Sequence, residues 1–215
     1  MISNTKPFYI YEENNCLFIK TINEKIDRIA NNIVSYCANF DNNNFIHICS
    51  IDTRGKLIHF MYKDGKIRRR ALCKVCNNTH NLKNMRLFII QNTLNIFLVE
   101  ESSIKDNYYR ISHYNFSPSN YHIHKYNINN IIKNDKYIYR LNIDDMNNMI
   151  LSYDTIKNNT SESDTKTLIF NYSNKNWVPT NDLIRNSKSF STFKSTSNIK
   201  DDIFEYCYSI NYKKN

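Results

Sequence analysis

Glycine and alanine are scarce in this chain of 215 residues, which contains two glycines, Gly55 and Gly65, and three alanines. Alanine is the strongest helix former, so its scarcity argues against a helical protein. Two isolated glycines also exclude a phosphate-binding glycine loop and the nucleophile elbow of α/β hydrolases. Turns must rely on another residue, and the 36 asparagines suit that role because asparagine tolerates positive φ angles. An AT-rich genome would also raise the asparagine content.

Long apolar runs and a disulfide framework are absent as well. No stretch of about 18 apolar residues occurs, and residues 1–6 lack the charged and apolar parts of a signal peptide. The six cysteines are scattered along the chain and do not form the even framework of a small secreted domain. We therefore expect a cytoplasmic protein with reduced thiols and no membrane partner.

The apolar residues that are present favour β-strands. Tyrosine occurs 16 times and phenylalanine 12 times, and hydrophobic residues make up 41% of the chain. This is enough to bury a core in a single domain, residues 1–215. Short alternating segments, separated by clusters of Asn, Asp, Ser and Lys, run along the whole sequence. They predict many short antiparallel strands and an all-β fold.

An internal repeat organises these strands. Similar first strands begin at positions 33, 85 and 137, 52 residues apart, and a weaker copy begins at 189. The third strand of each copy ends on a tyrosine before a polar turn, as at Tyr62, Tyr114 and Tyr172. Three complete copies and one divided copy are predicted at 33–76, 85–131, 137–186, and 189–212 together with 8–20.

Four-stranded units repeated at this spacing resemble the blades of β-propeller repeat proteins. The resemblance implies a small propeller of about four blades of four antiparallel strands, with a closing blade shared between the N- and C-termini. It is one of architecture, since the Trp-Asp, kelch and Asp-box signatures do not occur. A piece of a larger propeller and a β-sandwich are the alternatives.

Two segments interrupt the pattern of strands. The isoleucine spacing in residues 21–32 predicts a short helix or a long connection, and the polar composition of residues 154–165 predicts a loop.

Five basic residues form a patch in one predicted strand: Lys66, Arg68, Arg69, Arg70 and Lys74. With a formal net charge of +9, such a patch attracts phosphate-rich partners, including nucleic acids. In a propeller, however, a fourth strand is an outer edge, where Lys and Arg commonly prevent pairing with other chains. Both interpretations are open.

Cysteine and histidine supply the candidate metal ligands. Cys73, Cys76 and His80 offer three ligands of a zinc site, but the sequence shows no fourth. His122 and His124 face one side of a strand, where they could bind a metal or simply be solvated. We predict ordinary thiols and no cofactor.

The function predicted from these features is a non-catalytic binding scaffold. It would recognise a protein, or a sugar or other small ligand, at the central channel or on the loop face. The residues predicted to line the channel are Ser35, Tyr36, Arg86, Tyr139 and Arg140. Two alternatives are nucleic-acid binding through the basic patch, and a glycan-processing hydrolase with carboxylates at the channel mouth. The candidate carboxylates are three adjacent pairs, Glu100 with Glu101, Asp144 with Asp145 and Asp201 with Asp202.

Overall fold

The computed structural model describes residues 8–21, 25–103, 106–133, 137–144, 147–156 and 162–180. Within these ranges the chain forms fifteen β-strands and one short 3₁₀ helix. They are β1 (Phe8–Glu13), β2 (Cys16–Thr21), β3 (Ile26–Asn31), β4 (Ile33–Phe40), β5 (Ile46–Asp52), β6 (Lys56–Lys63), β7 (Lys66–Lys74), η1 (Thr79–Asn81), β8 (Leu82–Ile90), β9 (Thr93–Glu101), β10 (Tyr108–Phe116), β11 (His124–Ile132), β12 (Tyr139–Ile143), β13 (Met149–Ile156), β14 (Ser163–Asn171) and β15 (Asn176–Pro179). None of the described residues belongs to a helix long and apolar enough to cross a membrane.

The strands pair antiparallel in chain order. β1, β2 and β3 form an N-terminal sheet, and β4 to β7 form a separate first meander. β8 to β11 form a second meander and β12 to β15 a third, and the two join in one eight-stranded sheet through the single pair Ile132 and Asp154. The all-β prediction is confirmed. The C-terminal half of the predicted closing blade, 189–212, lies outside the described residues, so the four-blade ring stays a prediction.

Asparagine takes the role of glycine in the turns, as predicted. Eight of the twelve described non-glycine residues with positive φ are asparagines. Asn14 and Asn15 form the two-residue turn between β1 and β2, with φ angles of 53° and 58°. Two consecutive positive φ angles define a type I′ turn, whose twist matches that of the flanking strands.

Side chains between successive sheets form three apolar layers. Alternate residues point to opposite faces of a strand, so Phe60 of β6 packs toward the N-terminal sheet and Leu57 toward the second meander. Phe97 of β9 and Tyr139 of β12 join the second meander to the third. All of β5 is buried because layers cover both of its faces, whereas most of β7 is exposed. The sheets therefore stack face to face, with β7 on the outside.

Two segments differ from the sequence-based expectations. Ile26–Asn31 is the strand β3 and not a helix or long connection, because pairing with β2 outweighs the helical spacing of its isoleucines. Both described ends of the expected loop at 154–165 belong to paired strands, since β13 extends to Ile156 and β14 begins at Ser163, while residues 157–161 lie outside the described residues. The side chain of Thr165 donates a 2.6 Å hydrogen bond to Asp154. Polar side chains of this segment, which suggested a loop, therefore bond to each other across the two strands.

Candidate functional site

A cleft of about 450 Å³ opens between the first and second meanders. This volume falls within the range of small-ligand sites, about 300 to 1,000 Å³. The cleft lies where β7 ends and the chain crosses to η1, opposite β9, β10 and β11. Its polar lining includes Lys74, Asn77, Asn78, Glu100, Arg110 and Lys125.

Gly55 allows the connection after β7 to approach the first meander and form one wall of the cleft. Its carbonyl oxygen accepts a 2.8 Å hydrogen bond from the backbone N–H of Val75. A Cβ at position 55 would lie 2.1 Å from the carbonyl oxygen of Cys76, and the φ of Gly55 is +74°. Only glycine fits there without displacement of the backbone. Asn78 then accepts a hydrogen bond from the N–H of His80 and caps η1.

Glu100 and Arg110 pair at the back of the cleft. They lie opposite each other on β9 and β10, and both Nη2 and Nε of Arg110 contact Oε2 of Glu100, at 2.7 and 3.1 Å. The Glu100 side chain is 8% exposed and the Arg110 side chain 43%. Arg110 therefore compensates a buried carboxylate while part of the guanidinium remains open to a ligand.

Lys74 and Lys125 add two further positive charges to the lining. Both residues are exposed, and no ion pair joins either of them to a carboxylate in the part of the chain that the structure describes. The Lys125 ammonium lies 5.3 Å from the ring centroid of Tyr114. The cleft thus carries three cations and one carboxylate, an excess of positive charge that attracts anions.

The two thiols beside the cleft are poor nucleophiles. Burial raises the pKa of Cys73, and burial followed by the charge of Glu100 raises the pKa of Cys76. Both therefore remain thiols at neutral pH. Among the described residues, no three His, Cys, Asp or Glu side chains are grouped to hold a metal ion, so Cys73, Cys76 and His80 do not form such a group.

A buried hydrogen-bonded chain crosses the same interface away from the cleft. Nδ1 of His59 lies 3.1 Å from the Tyr121 hydroxyl, and its Nε2 lies 2.9 Å from Nδ1 of His47. Nε2 of His47 lies 3.4 Å from Oδ2 of Asp41. Burial lowers the pKa of His59 to about 3, so its ring is neutral. The Asp41 carboxylate can only accept, so its contact favours a proton on Nε2 of His47. Nδ1 of a neutral His47 then accepts from Nε2–H of His59, and Nδ1 of His59 accepts from the Tyr121 hydroxyl.

His113 makes the corresponding contact between the second and third meanders. Its Nδ1 accepts a 3.1 Å hydrogen bond from Nε1–H of Trp177, and its Nε2 donates to Oδ1 of Asn95. Burial lowers the pKa of His113 to about 3. In both interfaces, a histidine on the third strand of a meander accepts a hydrogen bond from an aromatic residue of the next meander. This repetition indicates that His59 and His113 join sheets.

The predicted channel residues lie on the first strands of their meanders. Ser35 and Tyr139 are buried, at 3% and 2% exposure. Tyr36 and Arg86 are half-buried, and Arg140 is exposed. Their contact with a ligand stays a prediction.

The predicted basic patch lies together on β7. Lys66, Arg68, Arg69, Arg70 and Lys74 are all exposed on this outer strand. Lys74 also lines the cleft.

The carboxylates considered for hydrolysis have separate partners. Glu100 pairs with Arg110, while Glu101 lies 2.7 Å from the ammonium of Lys83. Asp144 accepts a hydrogen bond from the backbone of Asn148. The remaining predicted acids, at positions 145, 201 and 202, lie outside the described residues.

The His122 and His124 rings are 4.7 Å apart, but His122 lies in the connection before β11, so the two do not share a strand face as predicted. Nε2 of His124 lies 3.2 Å from the Lys175 ammonium. Burial and these neighbouring positive groups lower the pKa of His124.

Arg110, Lys125 and the asparagines of the cleft were missed from the sequence. The repeat contained a partial signal for one contact, since a second strand ending at Glu100 and a third beginning at 109 place Arg110 within one position of Glu100 across the hairpin, and the actual register makes them partners. The approach of Lys125 to Lys74 depends on the packing of two sheets, and one sequence carries no direct signal for that.

No protein-family model and no curated protein matches the sequence. Among solved structures, one similar chain is described as a bifunctional GH43-CE protein of Bacteroides eggerthii, with a TM-score of 0.42 and 8% identity. The alignment covers 89% of this chain and 27% of that chain, so this chain spans about a quarter of its length.

Proposed function

We propose that this chain is a non-catalytic binding module, built on a small β-propeller, and that its cleft binds a compact ligand with a phosphate or carboxylate group. The observation that carries the proposal is the placement of Lys74, Arg110 and Lys125 around one cleft with a single carboxylate. Arginine binds planar or tetrahedral anions through paired N–H groups, and lysine adds a mobile positive charge. A sugar or other small molecule carrying such an anion fits this lining.

The chemistry of the cleft supports binding over hydrolysis. Glycoside hydrolysis requires two carboxyl groups about 5 to 9.5 Å apart on either side of the scissile bond. In the described lining, Glu100 is the one carboxylate, and its Oε2 is engaged by Arg110. The asparagine amides offer neutral donors and acceptors, which are suited to orienting a ligand.

Calorimetric titration with pyrophosphate and with citrate tests the proposal. Lys125→Gln removes one cation and retains the length of the stem, so we expect about fivefold to tenfold weaker binding, corresponding to about 1 to 1.4 kcal/mol. Lys166→Gln is the matched control, because Lys166 is exposed on β14 of the third meander. If neither anion binds, or if both variants weaken binding equally, the cleft is not the anion site.

A further inference from the structure

Within the part of the chain that the structure describes, the outer strand β7 presents an unpaired backbone edge. The first meander has the order β4, β5, β6, β7, so β7 has a partner on one side. Its first six residues are all exposed. Asp64 and Gly65 both have positive φ, so they form a two-residue type I′ turn that is closed by the hydrogen-bonded pair Lys63 and Lys66.

This turn determines which backbone groups face outward. Hydrogen-bonded and non-hydrogen-bonded pairs alternate along an antiparallel ladder. Lys66, Arg68 and Arg70 therefore direct their N–H and C=O groups toward β6, while Ile67 and Arg69 direct theirs away from the sheet. Ile67 is 39% exposed, and its neighbours on the strand are exposed as well. The edge can thus form backbone hydrogen bonds with an added strand.

Edge protection alone does not account for the charge of β7. Five of its nine residues are Lys or Arg and none is acidic. By contrast, β3 at the edge of the N-terminal sheet contains one basic residue, Arg28, and β11, the fourth strand of the second meander, contains Lys125. One lysine on an edge strand, or one charged side chain that points inward, is commonly enough to prevent pairing with another strand. The high density of basic residues on β7 therefore favours a partner of opposite charge.

Cations lie on both faces of the edge. Arg70 faces the second meander, where its guanidinium lies 5.6 Å from the ring centroid of Tyr121. Arg68 shares this face, while Arg69 lies opposite Phe60 and faces the N-terminal sheet side. A strand added to β7 would meet positive charge on both of its own faces. A second copy of β7 would instead bring two rows of cations together and be repelled.

We propose that β7 binds an extended acidic peptide by strand addition, with the peptide backbone pairing to Ile67 and Arg69 and its carboxylates meeting the arginines. Backbone hydrogen bonds supply general affinity in this mode, and the side chains supply selectivity. This interaction goes beyond the anion cleft, since it uses the edge around Ile67 and not Arg110 or Lys125.

The first test compares two forms of one peptide. An eight-residue peptide of alternating glutamate and valine should bind, and hydrogen exchange should slow at the amides of Ile67 and Arg69. Methylation of the backbone nitrogens of its two central residues keeps the charge but removes a donor from each edge, so we expect at least tenfold weaker binding. Equal affinity of the two peptides, or no binding of either at millimolar concentration, would overturn the proposal.

A variant of the chain gives an independent test. Ile67→Pro keeps every cation and removes one outward N–H, so acidic peptide affinity should fall at least tenfold. Ile67→Val keeps the N–H and is the matched control. Pyrophosphate binding should be the same in both variants, which separates this proposal from the function of the cleft. A thymidine oligonucleotide that binds both variants equally and displaces the peptide would replace strand addition with nucleic-acid binding.

Discussion

Replacement of His113 by glutamine tests whether burial keeps this imidazole neutral at the junction of the second and third meanders. The ring is fully buried, stacks on Phe97 at 4.5 Å and accepts a hydrogen bond from Trp177. Glutamine can accept the Trp177 bond through its carbonyl oxygen and donate to Asn95 through its amide, but it does not titrate. The variant therefore separates the hydrogen bonds of His113 from its proton equilibrium.

The sign and size of the effect follow from the pKa of His113, which burial lowers from 6.5 to about 3. Between pH 6.5 and 3, the unfolded chain binds a proton at this histidine and the folded chain does not. The free energy of unfolding therefore decreases as the pH falls through this window, by about 1.4 kcal/mol per pH unit. At pH 4.5 the loss reaches about 3 kcal/mol, a large part of a typical stability of about 5 to 15 kcal/mol.

Urea denaturation at several pH values between 7.5 and 4.5 measures this slope. His113→Gln should reduce the slope of the free energy of unfolding by about 1.4 kcal/mol per pH unit below pH 6, whatever its stability at neutral pH. His80→Gln, a replacement of an exposed imidazole on η1, should retain the slope of the wild-type chain. A slope in His113→Gln equal to that of the wild type would refute the assignment of a neutral, buried ring.

Three further substitutions test the packing around the cleft and the interface, each by chemical denaturation. Gly55→Ala should lower the free energy of unfolding by at least about 3 kcal/mol, because its Cβ would lie 2.1 Å from a backbone oxygen. Gly65→Ala is the control and should cost about 1 to 2 kcal/mol, since its φ is also positive, at +77°, but its Cβ would meet only a flexible lysine side chain. Equal losses in the two variants would contradict the proposed wall of the cleft. Tyr121→Phe leaves Nδ1 of His59 without its donor and should cost about 1 to 3 kcal/mol. Tyr126→Phe should be neutral or stabilising, since the Tyr126 hydroxyl is buried without a hydrogen-bond partner among the described residues; a large loss would show a partner.

The strands and turns could be predicted because their signals are local. Alternation and aromatic content marked β6 and β10, and asparagine clusters marked turns such as that at Asn14 and Asn15. The errors arose where tertiary pairing outweighed a local pattern. The isoleucines of β3 have helical spacing, but β2 provides a ladder for this segment. The polar residues of β13 and β14 resembled a loop because their hydrogen bonds, such as that between Thr165 and Asp154, cross between strands.

The cleft was harder to predict because its charges come from different sheets. Lys74 was recognised as part of a basic strand, but Lys125 is separated from it by 51 positions and belongs to the next meander. Glu100 and Arg110 are cross-strand neighbours whose pairing depends on the register of one hairpin. A shift of that register by one residue would move one of them to the opposite face of the sheet. Sequence periodicity gives such registers only approximately.

Positive charge is concentrated on the outer side of the first meander, where both proposed ligands would bind. Residues 33–76 contain eight basic and three acidic side chains, a net charge of +5 out of +9 for the chain. The layers between the meanders are mainly apolar, and His59 and His113 are held neutral there because burial opposes protonation. Cations of the first meander are consequently concentrated on β7 and at the mouth of the cleft. An anionic small molecule and an acidic peptide would meet this charge at adjacent surfaces, so high salt should weaken both interactions while the neutral interfaces beneath them remain intact.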